Sequence, residues 1–150
     1  MIQRKQTLFL LLAVIVNIIC LCLPIGKFIP KGMGVADQMF NLWIITGSGA
    51  RDFSVWALFA MLLLTCPIAI AAIFMYRNRM MQARLCLFNM LLLLGWIIVY
   101  AVFSFTRGEQ ATFQPMFAAC LPFVSMILHY LAHRGIIADE RLVRSMDRIR

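Results

Sequence analysis

The sequence predicts an all-α membrane protein: a four-helix transmembrane bundle, a C-terminal cytoplasmic amphipathic helix, and room for a short β-hairpin in the first periplasmic loop. Three observations predict it. Between Lys5 and Lys27, Asp52 and Arg77, Arg84 and Arg107, and Glu109 and Arg134 lie stretches of 21, 24, 22 and 24 residues without Asp, Glu, Lys or Arg. A helix crossing the roughly 30 Å hydrocarbon layer needs about 20 apolar residues, so each stretch is long enough for one crossing. The composition agrees, with 63% of the 150 residues hydrophobic, 13% charged and a mean hydropathy of +0.90. Finally, the cations are divided unequally between the two sides that four crossings create. Ten (Arg4, Lys5, Arg77, Arg79, Arg84, Arg134, Arg141, Arg144, Arg148, Arg150) fall on one side and four (Lys27, Lys31, Arg51, Arg107) on the other. The richer side is expected to be cytoplasmic and to hold both termini. A soluble enzyme, a secreted disulfide scaffold and a disordered tail are all excluded by this pattern. The net charge of +8 is read as topological bias and attraction to anionic lipid headgroups, not as a nucleic-acid footprint.

The chain is read as one four-span domain, 1–150, of an inner membrane, with spans at about 7–25, 53–76, 85–105 and 115–132. Arg4 and Lys5 before an apolar run resemble a signal peptide, but the exit from Leu21 to Gly26 lacks the small-x-small cleavage pattern, so an uncleaved anchor is expected. Loop 26–52 contains a segment, 39–45, rich in aromatic and branched residues, which reads as a strand or short hairpin. With Phe40, Trp43 and Trp56 it forms either an interfacial lid or a docking surface for a periplasmic partner. The tight turn 77–84 makes spans two and three antiparallel neighbours. Pro115 suits the first turn of span four, and Pro67 and Pro122 are expected to kink spans two and four. In segment 136–150, Ile136, Leu142, Val143, Met146 and Ile149 share one face and Arg141, Arg144, Ser145 and Arg148 the other, which describes an amphipathic helix. Helix contacts inside the bundle are expected at Thr65, Ala69 and Ala72, and at Ala13, Asn17 and Cys20.

The residues give little support to chemistry. No span carries Asp or Glu, which disfavours a proton- or cation-coupled carrier. Asn17 and Asn89, the main intramembrane amides, read as interhelical hydrogen-bond partners before they read as a transport site. All five cysteines fall in spans without a C-x-x-C pair, so neither a thiol oxidase nor a quinone-linked reductase is indicated. Cys20 and Cys22, with Met33 or Met39, are a conceivable Cu(I) site, but small packing cysteines are expected. His129 and His133 share a helix face, with Asp139 or Glu140 nearby, yet two ligands from one turn do not complete a metal shell. No catalytic residue, cofactor or metal site is therefore assigned, and a non-enzymatic protein is expected.

The opening Met1-Ile2-Gln3-Arg4-Lys5-Gln6-Thr7, the turn with Asn78-Arg79, Gln82, Arg84 and Asn89, and the closing Asp139-Glu140-Arg141-Leu142-Val143-Arg144-Ser145-Met146-Asp147-Arg148-Ile149-Arg150 resemble an uncharacterised family of small four-helix integral membrane proteins of the Bacteroidota. The resemblance covers the chain and implies four spans and an inner-membrane address, without an activity. Its matching residues cluster on the cytoplasmic side. The expected interaction surface is accordingly Arg4, Arg77, Arg79, Arg84, Asp139, Glu140, Arg144, Asp147 and Arg148, which either pair within the molecule or meet a membrane or cytoplasmic protein partner. The runner-up is a small transporter or channel subunit with Asn17 and Asn89 near the bundle axis.

Overall fold

The structure is a computed structural model that describes residues 3–32, 34–107 and 111–147. Four helices dominate: α1 (Gln3–Cys22), α2 (Trp56–Phe74), α3 (Arg79–Arg107) and α4 (Leu121–Asp147). Each is long and apolar enough to cross a membrane. Helix α1 ends just before Pro24, whose missing N–H cannot continue the hydrogen-bond ladder. Each helix packs principally on two neighbours, which sets the order α1-α2-α3-α4 around the bundle.

Small and polar side chains face inward. Ala13, Asn17 and Cys20 of α1 are fully buried, as are Thr65 and Ala69 of α2, with Ala72 nearly so, matching the faces expected from spacing. Asn89, Ser125, His129 and Ala132 complete this lining, while Ile15, Ile18, Leu64, Leu91, Ile98 and Ile127 are exposed on the outside. Outer faces of large aliphatics around a layer of buried polar groups are the reverse of a water-soluble bundle.

Where one short hairpin was expected, the structure has a five-stranded antiparallel sheet that caps one end of the bundle. Strands β1 (Gly26–Pro30), β2 (Asp37–Met39), β3 (Ile44–Ile45) and β4 (Arg51–Asp52) come from the first long loop, and β5 (Ala111–Pro115) from the loop between α3 and α4. Their order is β4-β3-β2-β1-β5, so β1 pairs with both loops. The 39–45 segment is a hairpin, β2 to β3, closed by the Phe40 N–H donating to the Trp43 carbonyl at 2.9 Å. At Gly26 a Cβ would lie 2.6 Å from the Phe113 ring, so any other residue would require that ring to shift. Below the sheet, Phe28, Phe113, Tyr100 and Trp96 form a chain of ring contacts into the bundle, and the Tyr100 hydroxyl donates to the Ile25 carbonyl at 2.9 Å. At the rim Arg107 reaches Asp52 at 2.6 Å. The Arg107 guanidinium, helped by the backbone N–H and hydroxyl of Ser54, holds the Asp52 carboxyl below its ordinary range.

Three further expectations are corrected. Pro115 ends β5 instead of opening a helix; a 3-10 turn at Phe117–Cys120 intervenes before α4. Pro122 lies in the first turn of α4, where a missing N–H costs nothing, and not at an interior kink. The amphipathic segment is not a separate helix, because α4 runs unbroken from Leu121 to Asp147. Met146 and the closing residues 148–150 lie outside the described side chains.

That continuation is tied down at the end opposite the sheet. The buried Asp139 accepts from Gln6 Nε2 at 2.6 Å, linking the start of α1 to the last turns of α4. Gly135 permits the approach, since a Cβ there would stand 3.2 Å from Gln6 Cγ. Replacing Asp139 by Ala strands the Gln6 amide and is expected to lower stability by about 1–3 kcal/mol. Glu140→Ala, which removes only the exposed i,i+4 pair with Arg144, should cost no more than about 0.5 kcal/mol. Unfolding of both variants in detergent, followed by circular dichroism, checks the difference.

Candidate functional site

Two regions gather the polar side chains. The first is a layer inside the bundle to which every helix contributes. Asn17 Nδ2 donates to Thr65 Oγ1 at 2.9 Å, and the Thr65 hydroxyl donates to the Leu62 carbonyl at 2.7 Å. Asn89 Nδ2 lies 3.2 Å from the Thr65 carbonyl and 3.0 Å from His129 Nε2. His129 Nδ1 is 2.8 Å from the Ser125 carbonyl. A carbonyl only accepts, so the imidazole proton resides on Nδ1 and Nε2 takes the Asn89 proton. With both ring nitrogens engaged, His129 has no lone pair free for a metal. Its expected partner, His133, is only half-buried and is not part of this network. Among the described residues no group of three His, Cys, Asp or Glu side chains is placed to hold a metal ion. Cys20 is turned inward and Cys22 outward, so the two do not form a common thiol site.

A related tie secures the sheet. Buried Asn41 donates to the Cys20 carbonyl at 2.7 Å, and its Oδ1 accepts from Trp96 Nε1 at 3.1 Å. Sequence reasoning overlooked Asn41, Trp96 and Ser125. The one available signal for Asn41 was an amide set in the apolar run Phe40-Asn41-Leu42-Trp43, where a buried polar group must find a partner.

The second region is the end formed by the α2–α3 turn and the last turns of α4. Arg77 and Arg84 are exposed, while half-buried Arg79 reaches back to the Asp139 carbonyl at 3.4 Å. Glu140 pairs with Arg144 at 3.0 Å, as its spacing suggests. Among the described side chains, however, the Asp139 carboxylate pairs with Gln6 and with no arginine. Its acceptor is shielded by the α1–α4 contact, while Arg77 and Arg84 stay in solvent. A groove of about 600 Å³ opens beside it, lined by Arg77, Asn78, Arg79, Met80, Met81, Glu140 and Val143. The side chains of Arg4 and Asp147, and all of Arg148, lie outside the described residues.

Fold and site together define a small four-helix protein with apolar outer faces, a polar interior layer, a sheet at one end and a cationic groove at the other. The model of the family described as Domain of unknown function (DUF4293) matches residues 2–149, and the chain belongs to that family. A search of curated proteins finds no match.

The two kinds of buried tie should differ in strength. Asn89→Leu leaves His129 Nε2 unpaired but also removes an unpartnered oxygen, so a loss of about 0.6–1.7 kcal/mol is expected, as for polar contacts between membrane helices. Asn41→Leu strands both Trp96 Nε1 and the Cys20 carbonyl and should cost about 1–3 kcal/mol for each. Chemical unfolding of the two variants in one detergent provides the comparison.

Proposed function

We propose that this protein is a non-enzymatic accessory or assembly subunit of a bacterial inner membrane. It crosses four times, keeps both termini in the cytoplasm, and works through the cationic end of the bundle. The orientation rests on the division of cations. The observation that carries the interaction reading is the fixation of α4 by Gln6 and Arg79, both of which bond Asp139, beside an open groove. A helix that merely rests on lipid needs a cationic face and an apolar stripe, and no such internal clamp. The groove mixes cations with exposed Met80 and Met81, a composition suited to a protein partner with an acidic and apolar segment or to anionic headgroups.

Mild-detergent co-purification from the native envelope, comparing wild type with Arg77→Glu/Arg144→Glu, is the direct experiment. Partners should be lost at unchanged protein abundance, because both positions are exposed. Retention of every partner would remove the reading.

A second reading, a small transporter or channel subunit, draws on unpartnered oxygens at Asn17 and Asn89. It requires solute flux in proteoliposomes that disappears in Asn17→Ala/Asn89→Ala. Absence of flux through the wild type eliminates it.

A further inference from the structure

We propose that the polar layer is an internal hydration site, where bound water donates to Asn17 Oδ1 and Asn89 Oδ1 and accepts from the Ser125 hydroxyl. These three atoms have no hydrogen-bond partner in the protein, and all three side chains are fully buried. A fourth such atom, Trp43 Nε1, belongs to the sheet end and not to this layer.

Reversing the amides does not supply the missing partners. The Thr65 hydroxyl spends its proton on the Leu62 carbonyl, so the atom that Asn17 presents to it must be the donor nitrogen. Asn89 likewise faces the Thr65 carbonyl, which can only accept. Both oxygens are thus directed away from the bonds already made. Ser125 is also unlike other helical hydroxyls of the chain. Those of Thr65, Ser104, Thr106 and Ser145 donate to the carbonyl three or four residues earlier, which is the usual outlet in a helix, whereas Ser125 Oγ does not.

The unmet functions are two acceptors and one hydroxyl, and their complement is a small neutral molecule with two protons to donate and a lone pair to offer. Water has that pattern. A cation would place a charge among helices whose central stretches carry no Asp or Glu to balance it. The three residues belong to one chain of contacts: Asn17 and Asn89 both bond Thr65, and Asn89 and the Ser125 carbonyl both bond His129. The inference is independent of which partner the cationic end binds.

The chain contains four asparagines, Asn17, Asn41, Asn78 and Asn89, and two of them serve as internal standards. Asn41 is as buried as Asn17 and Asn89, yet both ends of its amide are paired; Asn78 is exposed. The full chain, labelled with side-chain 15N-asparagine and held in detergent micelles, is tested for cross-relaxation between water and each Nδ2 proton. Water contacts are expected at Asn17, Asn89 and Asn78, and none at Asn41. Asn17 and Asn89 as dry as Asn41 would overturn the proposal, as would contacts at all four, which signify general solvent entry. Ser125→Ala, which removes one oxygen and little volume, should weaken the Asn17 and Asn89 contacts at least twofold with Asn41 still dry. Unchanged contacts in that variant would overturn the part assigned to Ser125.

Discussion

A hydrogen-bonding group enclosed by aliphatic side chains must find its partners inside the molecule, and in this bundle that constraint converges on Thr65. Its hydroxyl turns back onto α2 and accepts the amide of Asn17 from α1, while its carbonyl lies against the amide of Asn89 from α3. Asn89 passes the connection to His129 on α4. Shifting any one helix by a turn would break at least one of these bonds and leave its partner unpaired among apolar groups. The layer therefore helps set the relative heights of the four helices, because their apolar contacts, between small residues and branched aliphatics, discriminate little between registers.

With heights set in this way, each end acquires a distinct construction. At one end, β1 leaves α1 and pairs on its two sides with strands from separate loops, so neither loop can order its backbone bonds alone. Asn41 and Tyr100 then hold that sheet to the helices, Asn41 through the Cys20 carbonyl that the last turn of α1 leaves without a helical partner and Tyr100 through the Ile25 carbonyl just before β1. At the other end the described residues form no sheet. Helix α4 outruns the bundle, and its buried carboxyl at Asp139 is satisfied by the first turns of α1. The result is a molecule with one end closed by backbone pairing and the other presenting cations beside an open groove. The proposed role as an assembly subunit follows from that difference between the ends.

Much of the architecture was legible in the sequence, and the reason differs by element. Charge-free length located α1 and α2 to within about four residues at each end, because a helix long enough to span hydrocarbon is set by local composition. It missed the first turns of α3 and the long C-terminal extension of α4, where charges lie within the helix. Helical spacing also selected the inward faces of α1 and α2, since Ala13, Asn17 and Cys20, or Thr65, Ala69 and Ala72, lie on one side of any regular helix. The same local reasoning misplaced what depends on distant partners. The 39–45 segment was recognisable as a hairpin, but its enlargement into a five-stranded sheet needed β5 from a loop far along the chain. Pro115 has the same ring in a strand as in a first helical turn, and only its pairing opposite Gly26 decides between them. Asn17 and Asn89 were identifiable as buried amides, whereas Ser125 and His129 became their companions only once α4 was docked.

The sequence by itself determined the number of long helices, the inward faces of α1 and α2 and the end of the bundle at which most cations collect. These properties follow from composition and from a periodicity of 3.6 residues, which each segment carries alone. Tertiary structure decided which polar groups meet: Asp139 with Gln6 across 133 positions, Asn41 with Trp96 across 55, and His129 with Asn89 across 40. A hydrogen bond is specified by two atoms within about 3 Å and by their angle. No local property of one segment contains the position of the other.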